Sequence, residues 1–176
     1  DGDFWRLLQG LCLFNNKNSV SNILWQLERN RGRLTLNVLK EYIINEKYER
    51  SPLVRIMAYC IMPNHFHLLV EELENGIVKF MQRFGAGYAR YFNNKHDRVG
   101  GLFQGRFKAV IVDNEQYLLY LLVYINVINP GQLAESNLKE EGIKDISKVL
   151  NFAEEFLWGT HQEYIGKRNS IIIEKG

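Results

Sequence analysis

Tyr59-Cys60-Ile61-Met62-Pro63-Asn64-His65-Phe66-His67-Leu68-Leu69-Val70 is the stretch on which the fold turns. Met62-Pro63-Asn64 carries turn chemistry. The apolar runs on either side, residues 54–61 and 65–71, have strand length and read as a β-hairpin. Side chains at i and i+2 of a strand leave the same face, so His65 and His67 point one way and Phe66 the other. Two neutral imidazoles on one face can share a divalent cation, while Phe66 and Leu68 to Val70 anchor the strand. A plainer reading also stands, that of two surface histidines on the polar face of an edge strand. His-X-His alone does not choose between them.

Upstream of the hairpin, residues 3–50 read as helical. Trp5, Leu8, Leu11 and Cys12 recur at helical spacing, as do Ile23, Leu24 and Leu27. Arg29-Asn30-Arg31-Gly32-Arg33 reads as a basic turn, a third helix spans about 36–46, and Pro52 marks a boundary.

Downstream, Ile77, Phe80, Met81, Phe84, Tyr88 and Tyr91 form an i, i+3, i+4, i+7 stripe that predicts a helix over 76–94. Gly100-Gly101 breaks the chain, and 102–112 alternates as a strand would. Asp113 or Asn114 can cap a helix over 115–128 that Asn129-Pro130-Gly131 should stop. The tail from Leu133 reads as a further helix with irregular structure.

This order predicts the α+β class, with helices packed on one face of an antiparallel sheet. A ferredoxin-like β-α-β-β-α-β order needs a strand before Asp3, and that strand is expected to be missing from this chain. Residues 1–176 are expected to form a single domain. Within it, 15–52 would be a helical segment ahead of the hairpin, 53–130 the core with its tyrosine-bearing helix, and 131–176 a C-terminal extension.

Bulk composition constrains function weakly. Hydrophobic residues make up 46% and charged residues 24% of the 176, which suits a globular protein rather than a disordered one. Twenty-two Lys and Arg against 20 Asp and Glu leave a net charge of only +2. A nucleic-acid partner must therefore be argued from where the charges lie. Cys12 and Cys60 read as buried free thiols of a cytoplasmic protein. No signal peptide is evident, and no apolar run approaches the roughly 20 residues that span a bilayer.

Two further groups of residues carry chemistry. Tyr117, Tyr120 and Tyr124 fall at spacings of three and four on one helix face. Such a stripe can simply pack on a sheet, but one phenol beside a metal could attack a phosphodiester. Arg106 and Lys108, with Gln104 alongside, would share one face of the 102–112 strand. Arg83, Arg90, Lys95, His96 and Arg98 add positive charge in the preceding helix and loop. Phosphate contact and a solvated strand edge both fit these side chains.

Taken together, the residues resemble the HUH single-tyrosine transposases, and most closely the branch called REP-associated tyrosine transposases. Residues 59–70 are similar to that family's metal-binding hairpin. Met81-Gln82-Arg83-Phe84 through Tyr91-Phe92-Asn93 matches its aromatic, Asn-rich helix. Gly101 to Lys108 matches its Gly-x-Phe-Gln-Gly-Arg-Phe-Lys strand, and Tyr124-Ile125 with Asn129-Pro130 its Tyr-Ile…Asn-Pro element. The tail from Leu157-Trp158 to Lys167-Arg168 also matches, so the resemblance runs from about Arg55 to Arg168.

The resemblance implies that His65 and His67 hold a divalent metal, Mg2+ or Mn2+, and that Tyr124 is the nucleophile. The partner would be single-stranded or hairpin DNA, bound by Arg83, Arg90, Gln104, Arg106 and Lys108. The outcome would be cleavage and rejoining through a 5′-phosphotyrosine, by a monomer or a homodimer. One departure stands out. The family's third ligand follows the tyrosine at i+4, where this chain has Ile128, while Asn129 stands at i+5. A regular helix rotates i+5 well off the tyrosine's face. A π-bulge would restore the alignment; otherwise Asn129 only caps the helix. Tyr120 becomes the nucleophile if the helix register differs.

Two other classes remain. A non-catalytic DNA-hairpin binder would keep the fold without the metal-dependent cutting. A zinc hydrolase would need further His or Asp ligands, and His96 and His161 lie in no ligand-like spacing.

Overall fold

The computed structural model describes residues 2–18, 39–41 and 50–174. Residues 39–41 are helical. The basic turn at 29–33 and most of the helices expected before the hairpin lie outside the described residues.

The chain forms helix α1 (Gly2–Leu13), strands β1 (Val54–Ile61) and β2 (Phe66–Glu72), and helix α2 (Ile77–Lys95). Helix α3 (Glu115–Val123) passes into a π-helical turn (Tyr124–Ile128) and then α4 (Asn129–Ala134). Three helices end the chain: α5 (Leu138–Glu141), α6 (Ile146–Glu155) and α7 (His161–Tyr164). This is an α+β fold built on a two-stranded antiparallel hairpin. Contacts divide it into two compact units, Asp1–Arg55 with Glu71–Lys108, and Ile56–Val70 with Ala109–Gly176.

In the first unit α1 packs against α2. Phe80 and Phe84 are fully buried and stack at 5.8 Å, and each contributes roughly 1.5–3 kcal/mol by leaving water. Tyr88 completes the buried stripe that the spacing predicts. After α1 the buried Asn15 clamps the start of β1. Its Nδ2 donates to the Val54 carbonyl at 2.7 Å, and its Oδ1 accepts from the Leu53 and Val54 amides at 2.9 Å.

Gly76 opens α2 where no side chain fits, since a Cβ there would stand 2.1 Å from the Leu53 carbonyl oxygen. Backbone, unlike a side-chain tip, cannot swing aside. Gly76→Ala is therefore expected to destabilise the fold by at least about 1–3 kcal/mol. Urea unfolding would register this as a lower midpoint at unchanged slope.

The second unit is built around Ala58, Cys60, Met62, Leu69 and Ile125, with Leu118, Leu121, Leu122, Tyr124 and Phe156 packed against them. The apolar face of α3 and the π turn thus lies on the hairpin. The C-terminal tail covers the other edge of β1: Cys60 bridges Gly159, and the Ile61 amide donates to the Trp158 carbonyl at 2.8 Å. Glu163 and Arg168 lock this tail with two bonds of 2.7 Å. Both cysteines are free and buried, and burial pushes their thiols up to about 11 for Cys12 and about 12 for Cys60.

The fold departs from three expectations. Residues 102–112 form no strand, and Val110 and Ile111 are 75% and 87% exposed. Apparent alternation is not enough without a neighbouring ladder, and among the described residues the sheet stops at two strands. A four-stranded ferredoxin-like sheet is therefore not formed among them. Nor does Asn129-Pro130-Gly131 end the helix, which continues to Ala134. In a regular α-helix the Pro130 ring would strike the carbonyl four residues back; the π turn widens the coil at that point. Gly131 then lets α4 meet α6, where a Cβ would lie 2.7 Å from Val149.

Read as one rod, Glu115–Ala134 has 20 residues, with an 18-residue window of mean hydropathy 1.2, long and apolar enough to cross a membrane by length and composition alone. In the sequence Asn126, Asn129 and Gln132 interrupt its apolar run. Within the fold Ile125 belongs to the core, and Asn126 and Asn129 are buried.

Candidate functional site

His65 closes the turn of the hairpin, its carbonyl accepting from the Met62 amide at 2.8 Å. Its Nδ1 lies 2.7 Å from Asn64 Oδ1. With the Asn64 amide in this orientation its oxygen accepts, which places the proton on Nδ1 and leaves Nε2 its lone pair. β2 starts one residue later than the sequence suggests, at Phe66, and His65 and His67 still share a face. Their rings sit 5.1 Å apart, edge to face.

Tyr124 comes from the first position of the π turn, and its ring lies 5.7 Å from that of His67. Asn114 sets the start of this helix, its Oδ1 accepting from the Tyr117 amide at 2.8 Å, which settles the cap that the sequence left between two residues. Tyr117, Tyr120 and Tyr124 do stack along one face, at 6.2 and 5.9 Å. Tyr120 is 57% exposed, and its ring neighbours are the other two tyrosines rather than a histidine.

The π turn answers the spacing departure. The Asn129 amide donates to the Tyr124 carbonyl, a bond spanning five residues instead of four. Each α-helical residue turns the chain by about 100°, so i+5 would otherwise sit far around the helix. Here Asn129 falls one wide turn beyond Tyr124. The turn is held by the buried Asn126, whose Oδ1 accepts from Thr160 Oγ1 at 2.7 Å and whose Nδ2 donates to the Leu122 carbonyl at 2.9 Å.

Two buried polar atoms at these positions have no partner: His67 Nε2 and Asn129 Nδ2. An unsatisfied buried group costs about 1–3 kcal/mol, and native proteins keep few of them. The other end of the Asn129 amide accepts from Gln132 Nε2 at 3.0 Å. Turning both amides over keeps that bond, gives up the 3.4 Å bond from Gln132 Nε2 to the Asn129 carbonyl, and presents the Asn129 oxygen instead, the hard donor that Mg2+ or Mn2+ takes. Among the described residues no three His, Cys, Asp or Glu side chains cluster as metal ligands, so a multi-ligand zinc centre finds no support there.

The electrostatics favour neutral imidazoles. Desolvation holds His65 below its usual value, with the Lys139 ammonium adding to the effect. Desolvation also lowers His67, followed by the neighbouring His65 and Lys139. Lys139, from α5, has its Nζ 5.6 Å from the centre of the Tyr124 ring. It lies 15 positions beyond Tyr124, and no local spacing in the sequence marks it.

The expected DNA contacts fall in the first unit. Arg90, Gln104, Arg106 and Lys108 are exposed. Arg106 and Lys108 do not share a strand face, because that strand is absent. Arg83 donates to the Asn16 and Lys17 carbonyls and so braces the end of α1. Lys95 and His96 are paired with Asp3, at 2.8 and 3.0 Å, which reduces the positive charge read from the sequence.

The family model of IS200-like transposases matches residues 23–127, more than half of the chain. The chain belongs to that family, which makes it a DNA-processing enzyme of DNA transposition. No curated protein and no solved structure matches it.

Proposed function

We propose that this chain cuts and rejoins single-stranded, hairpin-bearing DNA as an HUH single-tyrosine transposase, of the REP-associated branch. The observation that carries the reading is the placement of Tyr124 beside the His65–His67 pair, with a π turn bringing Asn129 behind it. The Tyr124 phenol oxygen attacks the scissile phosphorus. The P–O3′ bond breaks, the phenol proton is balanced by one taken up at O3′, and the 5′ end remains on Tyr124 as a phosphotyrosine. Attack by a second 3′ hydroxyl reverses these steps and reseals the DNA.

His65, His67 and Asn129 would hold Mg2+ or Mn2+, which when bound supplies polarisation of the phosphate. Asn64, accepting from Nδ1, would hold the tautomer that turns the His65 lone pair outward. Exposed Arg90, Arg106 and Lys108 would contact the DNA backbone, with Gln104 beside them. Cytoplasmic DNA is the substrate this reading requires.

The reading is tested by incubating the protein with hairpin-bearing single strands and Mg2+ or Mn2+. Site-specific cutting with a free 3′ hydroxyl supports it. Tight hairpin binding with no metal-dependent cutting would instead indicate the non-catalytic binder.

The lowered imidazoles also predict a pH dependence. Metal binding needs both rings neutral, so Mn2+ affinity by calorimetry should hold down to about 6.5, the usual histidine value, and fall only below it. In the metal-free protein the unfolded chain binds the extra protons first. Stability should therefore drop as pH falls through 6.5 toward the depressed values. Affinity already declining above pH 7 would contradict the assignment.

A further inference from the structure

The Tyr124 site carries a cation that has no counter-charge among the described residues. Lys139 is exposed, and its ammonium lies over the Tyr124 ring at 5.6 Å. That ring in turn lies 5.7 Å from the ring of His67. Among the described residues it has no ion pair. Glu141, two residues on, is held by Lys144 and by Asn137 Nδ2 at 3.0 Å.

The fold fixes this placement. Leu138 is 5% exposed and packs toward Gly131, so the residue after it turns outward. An exposed cation–π contact is worth little by itself. Two imidazoles and an ammonium, with no carboxylate clustered on them among the described residues, make a site short of negative charge. A divalent cation at the histidines would deepen that deficit. The chemistry that satisfies it is an anion, and on DNA that anion is a phosphodiester.

We infer that Lys139 is a DNA-phosphate ligand of the Tyr124 site, its ammonium holding a phosphate of the bound strand against the phenol. This rests on the DNA-transfer reading above. The lysine transfers no proton; it neutralises non-bridging oxygens while Tyr124 Oη replaces O3′ at phosphorus. It lies beyond the stretch that the family model matches.

The test uses the full chain and a hairpin-bearing single strand. Binding is measured in the Tyr124→Phe background, so that no cutting intervenes, across a series of salt concentrations. Lys139→Ala should weaken binding roughly 10- to 100-fold. It should also lower the slope of log affinity against log salt by about 0.7, the signature of one lost phosphate contact on a single strand. Lys139→Arg should restore the slope, and Lys144→Ala, which removes a paired lysine of the same region, should leave it unchanged. An unaltered slope in Lys139→Ala would overturn the inference, and so would an equal fall in Lys144→Ala. Failure of the transferase reading would show separately, as absent cutting by the wild-type protein while the lysine's salt signature persisted.

Discussion

Tyr124→Phe is expected to abolish the covalent protein–DNA adduct and to reduce strand cleavage by on the order of 10⁴-fold or more, while hairpin binding stays within a few-fold of wild type. The substitution removes one oxygen and leaves the ring. Tyr124 is half-buried against the core formed by Ala58, Cys60, Met62, Leu69 and Ile125, and Phe retains that packing. A loss of cutting at preserved binding and stability can therefore be assigned to the nucleophile alone. Tyr120→Phe is the matched control. Its ring stacks on Tyr124 and is more than half exposed, so its phenol has no imidazole beside it. Equal loss in the two variants would mean that the stacked face, rather than one oxygen, matters.

His67→Ala has the second large expected effect. Its Nε2 is buried without a partner, an arrangement that suits a ligand waiting for a cation. Removing the ring should weaken Mn2+ binding by more than about 100-fold, a larger effect than losing a group that merely orients a ligand. Cutting should fall with it. Thermal stability in metal-free buffer should change little or rise, since the orphaned nitrogen goes too. That combination separates a ligand from a packing residue: a core imidazole would show the opposite pattern, a stability loss with metal affinity unchanged. His65→Ala should follow the same direction. Its ring is exposed, so its removal leaves a smaller cavity.

Much of this arrangement was legible in the sequence, and the gaps have physical causes. The hairpin was readable because a Pro-Asn turn between two apolar runs has few alternatives. The α2 stripe was readable because Phe80, Phe84 and Tyr88 repeat at the period of a buried helix face. His65 and His67 could be placed on one face from strand geometry alone. The extra residue before Asn129 was visible as a broken spacing, but a sequence cannot say where a helix absorbs an insertion. Tertiary bonds from Asn126 to Thr160, 34 residues away, accompany the wide turn. The 102–112 segment misled because alternation describes side chains, whereas a strand exists only where another backbone pairs with it. Lys139 was hidden for a related reason: its neighbours in space come from elements far away in the chain.

The most direct test of the central claim is to trap the protein on a labelled hairpin-bearing single strand with Mn2+, digest the adduct, and locate the modified residue by mass spectrometry. The account predicts a 5′-phosphate ester on Tyr124 and a free 3′ hydroxyl on the released strand. Cutting with no protein-bound phosphate, or an ester on Tyr120, would contradict it.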